Sequence, residues 1–287
     1  MKSLLFLSLL ALPAGVVGAA AAEPPCACDR CVAAYGDIRS GYDVHRKIVS
    51  LIEAAHPKAV FNVGDMVSKG GRGDEWKTFA EITNGLRASA SYYAALGNHE
   101  KGGVGEFESL FHYPGNGRWY AAEAPGARFI VLDYLSPMGK GSAQYKWLAK
   151  ELARPRGGDK FVIVVMHKPL MSTGHHGRDK WPAGKDLERL FKARGVDLVI
   201  SGHDHDYERL ERGGLTQVVT GGGGAPLRPE AFKSPYSRIF RETYNYTLLS
   251  VCGDALKLEA FDQDGKPIDS FTLKARQQEA PRAAVKN

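Results

Sequence analysis

Five short apolar runs constrain this chain more than any other feature: residues 32–35, 59–63, 92–96, 161–166 and 196–200. Each is nearly continuous rather than alternating, the pattern of a strand buried on both faces. Helical periodicities lie between them. Val44, Ile48, Leu51 and Ala55 share a face behind a cap expected at Asp43, and Tyr145, Leu148, Ala149 and Leu152 share one behind Ser142. Leu187, Leu190 and Phe191 lead into Gly195 in the same way. Strand and helix in alternation predict an α/β core with largely parallel strands. Residues 129–132 add a further strand. Residues 215–220, 244–251, 256–261 and 268–273 read as strands without helices between them, and are expected to complete a second sheet.

Composition narrows the class of partner. A chain of 287 residues with 44% hydrophobic and 24% charged residues has enough apolar material for a sizeable core and is not a disordered or collagen-like polymer. The formal charge of +6 suits an anionic substrate. No Lys/Arg-rich run or aromatic-basic alternation points to nucleic acid. At the N-terminus, Lys2, the apolar stretch 4–12, the breakers Pro13 and Gly15, and the small residues 19–22 read as an export signal cut after Ala22. The stretch is too short for a membrane anchor. This implies a secreted or periplasmic protein in which residues 1–22 are removed, 23–274 form one domain and 275–287 a tail. In an oxidising compartment Cys26, Cys28, Cys31 and Cys252 are expected to form disulfides, with the connectivity open. Asn245-Tyr246-Thr247 is a glycosylation sequon.

Each of the five apolar runs ends in residues that bind metals. The first ends in Gly36-Asp37-Ile38-Arg39, the second in Gly64-Asp65, the third in Gly97-Asn98-His99-Glu100, the fourth in His167 and the fifth in Gly202-His203-Asp204-His205. Ligands of open α/β sheets gather at the carboxyl ends of the strands, so these residues are expected to share one crevice. Carboxylate, amide and imidazole together suit Zn, Fe or Mn, and outnumber the needs of a single ion. There is no G-x-S-x-G nucleophile elbow and no G-x-x-x-x-G-K-[ST] phosphate loop.

The ordered set resembles the calcineurin-like metallophosphoesterases, and the continuation Tyr207-Glu208-Arg209 resembles their purple acid phosphatase branch. The resemblance implies a two-sheet α/β sandwich carrying two metal ions (Fe, Zn or Mn). It makes Asp65 the bridging carboxylate, Asp37 and His205 ligands of the first ion, and Asn98, His167 and His203 ligands of the second. It makes His99 the histidine that contacts substrate and protonates the leaving group. His176, in the Gly-rich loop after the fourth motif, is similar to a substrate-side histidine. Two departures stand out. The family's histidine two residues after the first aspartate is replaced by Arg39, and no metal-binding tyrosine follows Asp65, where Met66-Val67-Ser68-Lys69 stands. The first ion is therefore one protein ligand short; water or His45 could make this up, or the site could be weak or empty, and no iron–phenolate colour is expected. The guanidinium of Arg39 is shaped to hold phosphate oxygens.

The expected activity is hydrolysis of a small phosphorylated substrate, a phosphate monoester. The same residues would serve a phosphodiesterase or pyrophosphatase, or a non-catalytic phosphate- or metal-binding protein. Asp37 or Asp65 alone reads equally well as a turn residue, and Lys168, which could touch phosphate, is read as a surface lysine; the joint pattern is what points to metal.

Overall fold

The computed structural model describes residues 31–276. The expected export signal, Cys26, Cys28 and the residues after 276 lie outside the described residues.

The first three apolar runs form β1 (Val32–Tyr35), β2 (Ala59–Asn62) and β3 (Ser91–Ala94), which lie parallel in that order. They are joined by α1 (Tyr42–Ala54), and by α2 (Gly73–Ile82) followed by α3 (Asn84–Ser89). After α4 (Val104–Leu110), β4 (Tyr120–Ala124) turns back antiparallel on β5 (Ala127–Val131). The fourth and fifth runs form β6 (Phe161–Val165) and β7 (Leu198–Ser201), parallel to β5. These strands are connected through α5 (Ala143–Glu151) and α6 (Pro182–Arg194). Then come β8 (Tyr207–Arg212), β9 (Leu215–Thr220), β10 (Ser237–Arg241), β11 (Asn245–Cys252), β12 (Ala255–Asp262) and β13 (Pro267–Lys274).

The strands make two mixed sheets, in the orders β13-β12-β11-β1-β2-β3 and β10-β8-β9-β7-β6-β5-β4. The two-sheet α/β sandwich is as expected, but the late strands do not form a sheet of their own. Strands β11 to β13 extend the first sheet through the antiparallel pair β1/β11, and β9 joins β7 in parallel. The apolar pattern of a strand says that it is buried and does not say against which neighbour.

Between the sheets lies a core that includes Phe61, Phe129, Val63, Val165, Ile200 and Leu258. Phe61 stacks on Phe129 with ring centroids 4.0 Å apart, one ring from each sheet. The outer faces are covered by α1 to α4 on the first sheet and by α5 and α6 on the second. Ser142 caps α5 by accepting from Tyr145 N–H, and Gly195 ends α6 in the left-handed conformation, both as expected. The expected cap at Asp43 is not used: α1 starts from Gly41, and Asp43 sits in its first turn. Among the described residues no helix is long and apolar enough to cross a membrane. Asn245, the sequon residue, is fully buried; its amide donates to the Asp206 and Thr243 carbonyls and its oxygen accepts from Thr220. The folded chain therefore offers no glycan acceptor there.

Phe61→Ala should cost about 3–5 kcal/mol, because it leaves an aromatic-sized cavity between two sheets that cannot close over it. Urea unfolding should show a lower midpoint with an unchanged slope, while Tyr236→Ala on the exposed surface should leave both unchanged.

Candidate metal centre

The carboxyl ends of β1, β2 and β3 face those of β6 and β7 across the sandwich, and two hydrogen bonds lock them together. His203 N–H donates to Asp37 Oδ2 at 2.9 Å, and His167 Nδ1 donates to the Val63 carbonyl at 2.9 Å. The backbone is forced at these points: Asp37 (φ 56°), Asp65 (φ 55°) and His203 (φ 71°) all occupy the left-handed region, where non-glycine residues are uncommon and which is typical of strained functional turns. The motif glycines make room. A Cβ on Gly97 would collide with Asp65 Oδ1, and one on Gly202 with Asp37 Oδ2.

Four lone-pair atoms meet in the crevice. His167 Nε2 lies 3.1 Å from Asn98 Oδ1, 3.3 Å from Asp65 Oδ1 and 3.1 Å from His203 Nδ1. Its other nitrogen is committed to Val63, so Nε2 carries no proton. Burial lowers the pKa of both His167 and His203 and keeps the rings neutral. At most one N–H, on His203, is then shared among four atoms that all offer electrons. A tetrahedral ion with bonds of about 2.1 Å has ligand–ligand edges of about 3.4 Å, close to these separations. Asp65, Asn98, His167 and His203 therefore fit a metal ion, with Asp65, His167 and His203 all buried.

The first ion's position is assembled differently. Among the described residues, the His and Asp groups whose ligand atoms all lie within 4.8 Å are Asp65–His167–His203 and His176–Asp179–His203; Asp37, Asp65 and His205 are not among them. His205 Nδ1 donates to the Pro226 carbonyl at 2.7 Å, which leaves Nε2 as an acceptor, and Arg39 Nη2 donates to it at 2.8 Å. His99 is held the same way, with Nδ1 on the Ser68 carbonyl at 2.7 Å and Nε2 accepting from Arg39 Nη1 at 2.9 Å. Asp37 Oδ1 has no hydrogen-bond partner and lies 3.7 Å from His205 Nε2. Burial, and then the charge of Asp65, raise the pKa of Asp37 well above the usual carboxylate range.

His45 does not reach in. It is fully buried under α1, bonded to the Tyr35 hydroxyl (3.2 Å) and stacked on Phe79. His176 does arrive at the centre, its ring stacked on His203 with centroids 4.1 Å apart. It accepts from Arg228 Nη1 at 2.7 Å and shares Asp179 Oδ2 with Lys168, both at 3.1 Å. With its nitrogens and Asp179 already paired, that group is better suited to an anion than to a second metal.

Several further side chains take part in the centre. Lys168 is buried beside His203 rather than lying on the surface, and Arg228 comes from an irregular loop. Glu100 accepts from the N–H groups of Asp65 (3.0 Å), Met66 (2.7 Å) and Gly97 (2.6 Å), tying the second motif to the third. Burial, followed by the charge of Asp65, pushes its pKa up to about 8. Tyr134 packs edge-on to His167. The run 221–224 is a loop, as its composition suggests, but it also braces the first motif: Gly223 N–H donates to the Gly36 carbonyl and Ala225 N–H to that of Asp37, both at 2.8 Å.

This geometry agrees with comparison to known proteins. The model of the calcineurin-like phosphoesterase family matches residues 32–207. The chain belongs to that family. Among its relatives, a nucleotide pyrophosphatase/phosphodiesterase of Hordeum vulgare is 28% identical over 261 residues, covering 75% of this chain and 71% of the relative. Purple acid phosphatase 1 of Ipomoea batatas is 30% identical over 200 residues, covering 62% of this chain and 42% of the relative. "Probable inactive purple acid phosphatase 27" of Arabidopsis thaliana is 29% identical and is spanned over 43% of its length, against 75% of this chain. In fold, the family member resembles purple acid phosphatase PPD1 of yellow lupin (TM-score 0.75, 24% identity), covering 85% of this chain and 53% of that one.

The buried His45 makes a prediction about stability. Burial lowers its pKa from the ordinary 6.5 to about 3, so between those pH values it is neutral in the folded protein and protonated in the unfolded chain. Its contribution is complete above pH 6.5 and is lost as pH falls toward 3, with a slope of about 1.4 kcal/mol per pH unit. His45→Gln should flatten the stability–pH curve by about that slope over this window, as read by urea midpoints at successive pH values.

Proposed function

We propose that this protein is an exported, metal-dependent phosphoesterase that hydrolyses phosphate monoesters. The observation that carries the reading is the convergence of Asp65, Asn98, His167 and His203 beside the cationic side chains of Arg39, Lys168 and Arg228. When bound to those four residues, an Fe, Zn or Mn ion supplies Lewis-acid activation of water and neutralises phosphoryl charge. The side chains supply the rest. The planar fork of Arg39 is suited to two phosphoryl oxygens at once, and Lys168 and Arg228 offer further donors. His99, its Nδ1 fixed on Ser68, presents Nε2 to the crevice, where a proton carried on that nitrogen passes to the departing oxygen. His176 orders Arg228 and Asp179 around the anion. Export rests on the N-terminal leader pattern.

A second reading is favoured by one feature. Next to His176 opens a cleft of about 760 Å³ lined by Lys168, His176, Arg178, Lys180, Trp181 and Arg212 among others. An indole with flanking cations suits a larger leaving group, such as a nucleoside phosphate, and the Hordeum relative is named for that chemistry. Cleavage of a diester or pyrophosphate on the same centre would use this cleft.

Metal-loaded protein should turn over p-nitrophenyl phosphate faster than its bis ester; the reverse order would favour the second reading. Asp65→Asn should lose both metal and turnover. His99→Ala should keep its metal and lose about 10²–10⁴ in rate, and loss of metal from that variant would show that the division of roles is wrong.

A further inference from the structure

The guanidinium of Arg39 lies where the resemblance places the first ion's surroundings, and it is engaged with the atoms that such an ion would need. His205 offers one usable lone pair, on Nε2, because Nδ1 is spent on the Pro226 carbonyl. That lone pair already accepts from Arg39 Nη2 at 2.8 Å. A metal ion bonded to the same nitrogen would sit about 2.0–2.1 Å along the same direction, so guanidinium and ion exclude one another. The other nitrogen of the fork holds His99, which fixes the group from two sides. The carboxylates agree. Two ligands of one ion with bonds of up to about 2.2 Å can be no more than about 4.4 Å apart. Among the described residues, Asp37, Asp65 and His205 do not gather even within 4.8 Å, whereas Asp65, His167 and His203 do. Of the Asp37 oxygens, Oδ2 receives the His203 N–H across the two sheets, and Oδ1, 3.7 Å from His205 Nε2, has no hydrogen-bond partner.

We propose that this chain works with a single metal ion, held by Asp65, Asn98, His167 and His203, and that Arg39 takes the place of the first ion as a fixed organic cation. The inference rests on the phosphoesterase reading and deepens it. A guanidinium supplies positive charge and two parallel N–H donors to the equatorial oxygens of a phosphoryl group, part of what a second ion offers. It does not activate water. That task falls to the one remaining ion, and the loss of metal from the first position becomes permanent rather than conditional on metal supply. His205 is then a positioning residue: it holds the guanidinium instead of a metal.

The test is metal stoichiometry, measured by elemental analysis on folded protein dialysed against Mn, Zn or Fe, with circular dichroism to verify folding. The wild type should carry one ion per chain, and Mn-loaded protein should give the electron paramagnetic resonance signal of an isolated ion. His205→Ala should still carry one, and His167→Ala none. Arg39→His, which restores the family's residue and frees His205 Nε2, should take up a second ion and show the signal of a coupled pair. Two ions per chain in the wild type, or loss of the ion in folded His205→Ala, would overturn the inference while leaving the phosphoesterase reading intact. A wild type that binds no ion with any of the three metals would overturn both.

Discussion

Electron-rich atoms repel, and this fold holds three of them within about 3.3 Å of a fourth, His167 Nε2. Nothing in Asp65, Asn98, His167 or His203 alone favours that arrangement; the rest of the molecule imposes it. The two sheets are pressed together by an apolar core in which Phe61 meets Phe129, and the strand ends follow. His203 N–H to Asp37 and His167 to Val63 then fix the two sets of loops against each other. Glu100 draws three backbone N–H groups toward one carboxylate and so sets the angle at which Asp65 enters. Left-handed backbone at Asp37, Asp65 and His203, which costs of order 1–3 kcal/mol each, persists because these contacts over-determine it.

The parts that depend on local pattern were legible in the sequence. Continuous apolar runs give strands buried on both faces, glycine followed by a carboxylate or imidazole gives a strand end that approaches its partners closely, and Ser142 and Gly195 bound their helices. Long-range pairings were not legible. Strand β11 closes on β1 more than two hundred residues away because their backbone edges match, and an apolar pattern is blind to that. The same holds for side chains that reach the centre from plain surroundings. Lys168 directly follows His167 and Arg228 has no neighbouring motif, and a lysine or arginine in a loop reads as solvated on pattern alone. His45 erred in the opposite direction: a histidine near the first motif looked available, but the helix period turns it inward onto Phe79 and Tyr35. Asn245 carries a perfect sequon and spends all its polar atoms in the core.

The charge balance around the centre also takes sense from Arg39. Asp37, Asp65 and Glu100 are three carboxyl groups packed together with no more than slight exposure, an arrangement that burial alone makes costly. In a two-ion site, four or more positive charges would face them. Here the second source of positive charge is covalently attached and weaker, and the protein meets it with more neutral groups: burial and mutual repulsion raise the pKa of Asp37 and Glu100. The neutral imidazoles of His99 and His205, each anchored through Nδ1 on a backbone carbonyl, complete the shell as acceptors.

That shell sets a trade-off for catalysis. His99 Nε2 is the atom that would protonate a leaving group, yet at rest it accepts from Arg39 and therefore carries no proton. For His99 to act as an acid, Arg39 must let go of it, and the natural competitor for the guanidinium is the incoming phosphoryl group, whose charged oxygens accept more strongly than an imidazole nitrogen. Substrate binding would then free His99 Nε2 to take up a proton from solvent, and so to act as an acid, in the same motion that seats the phosphate. Arg39 would couple recognition of the anion to the availability of the proton carrier.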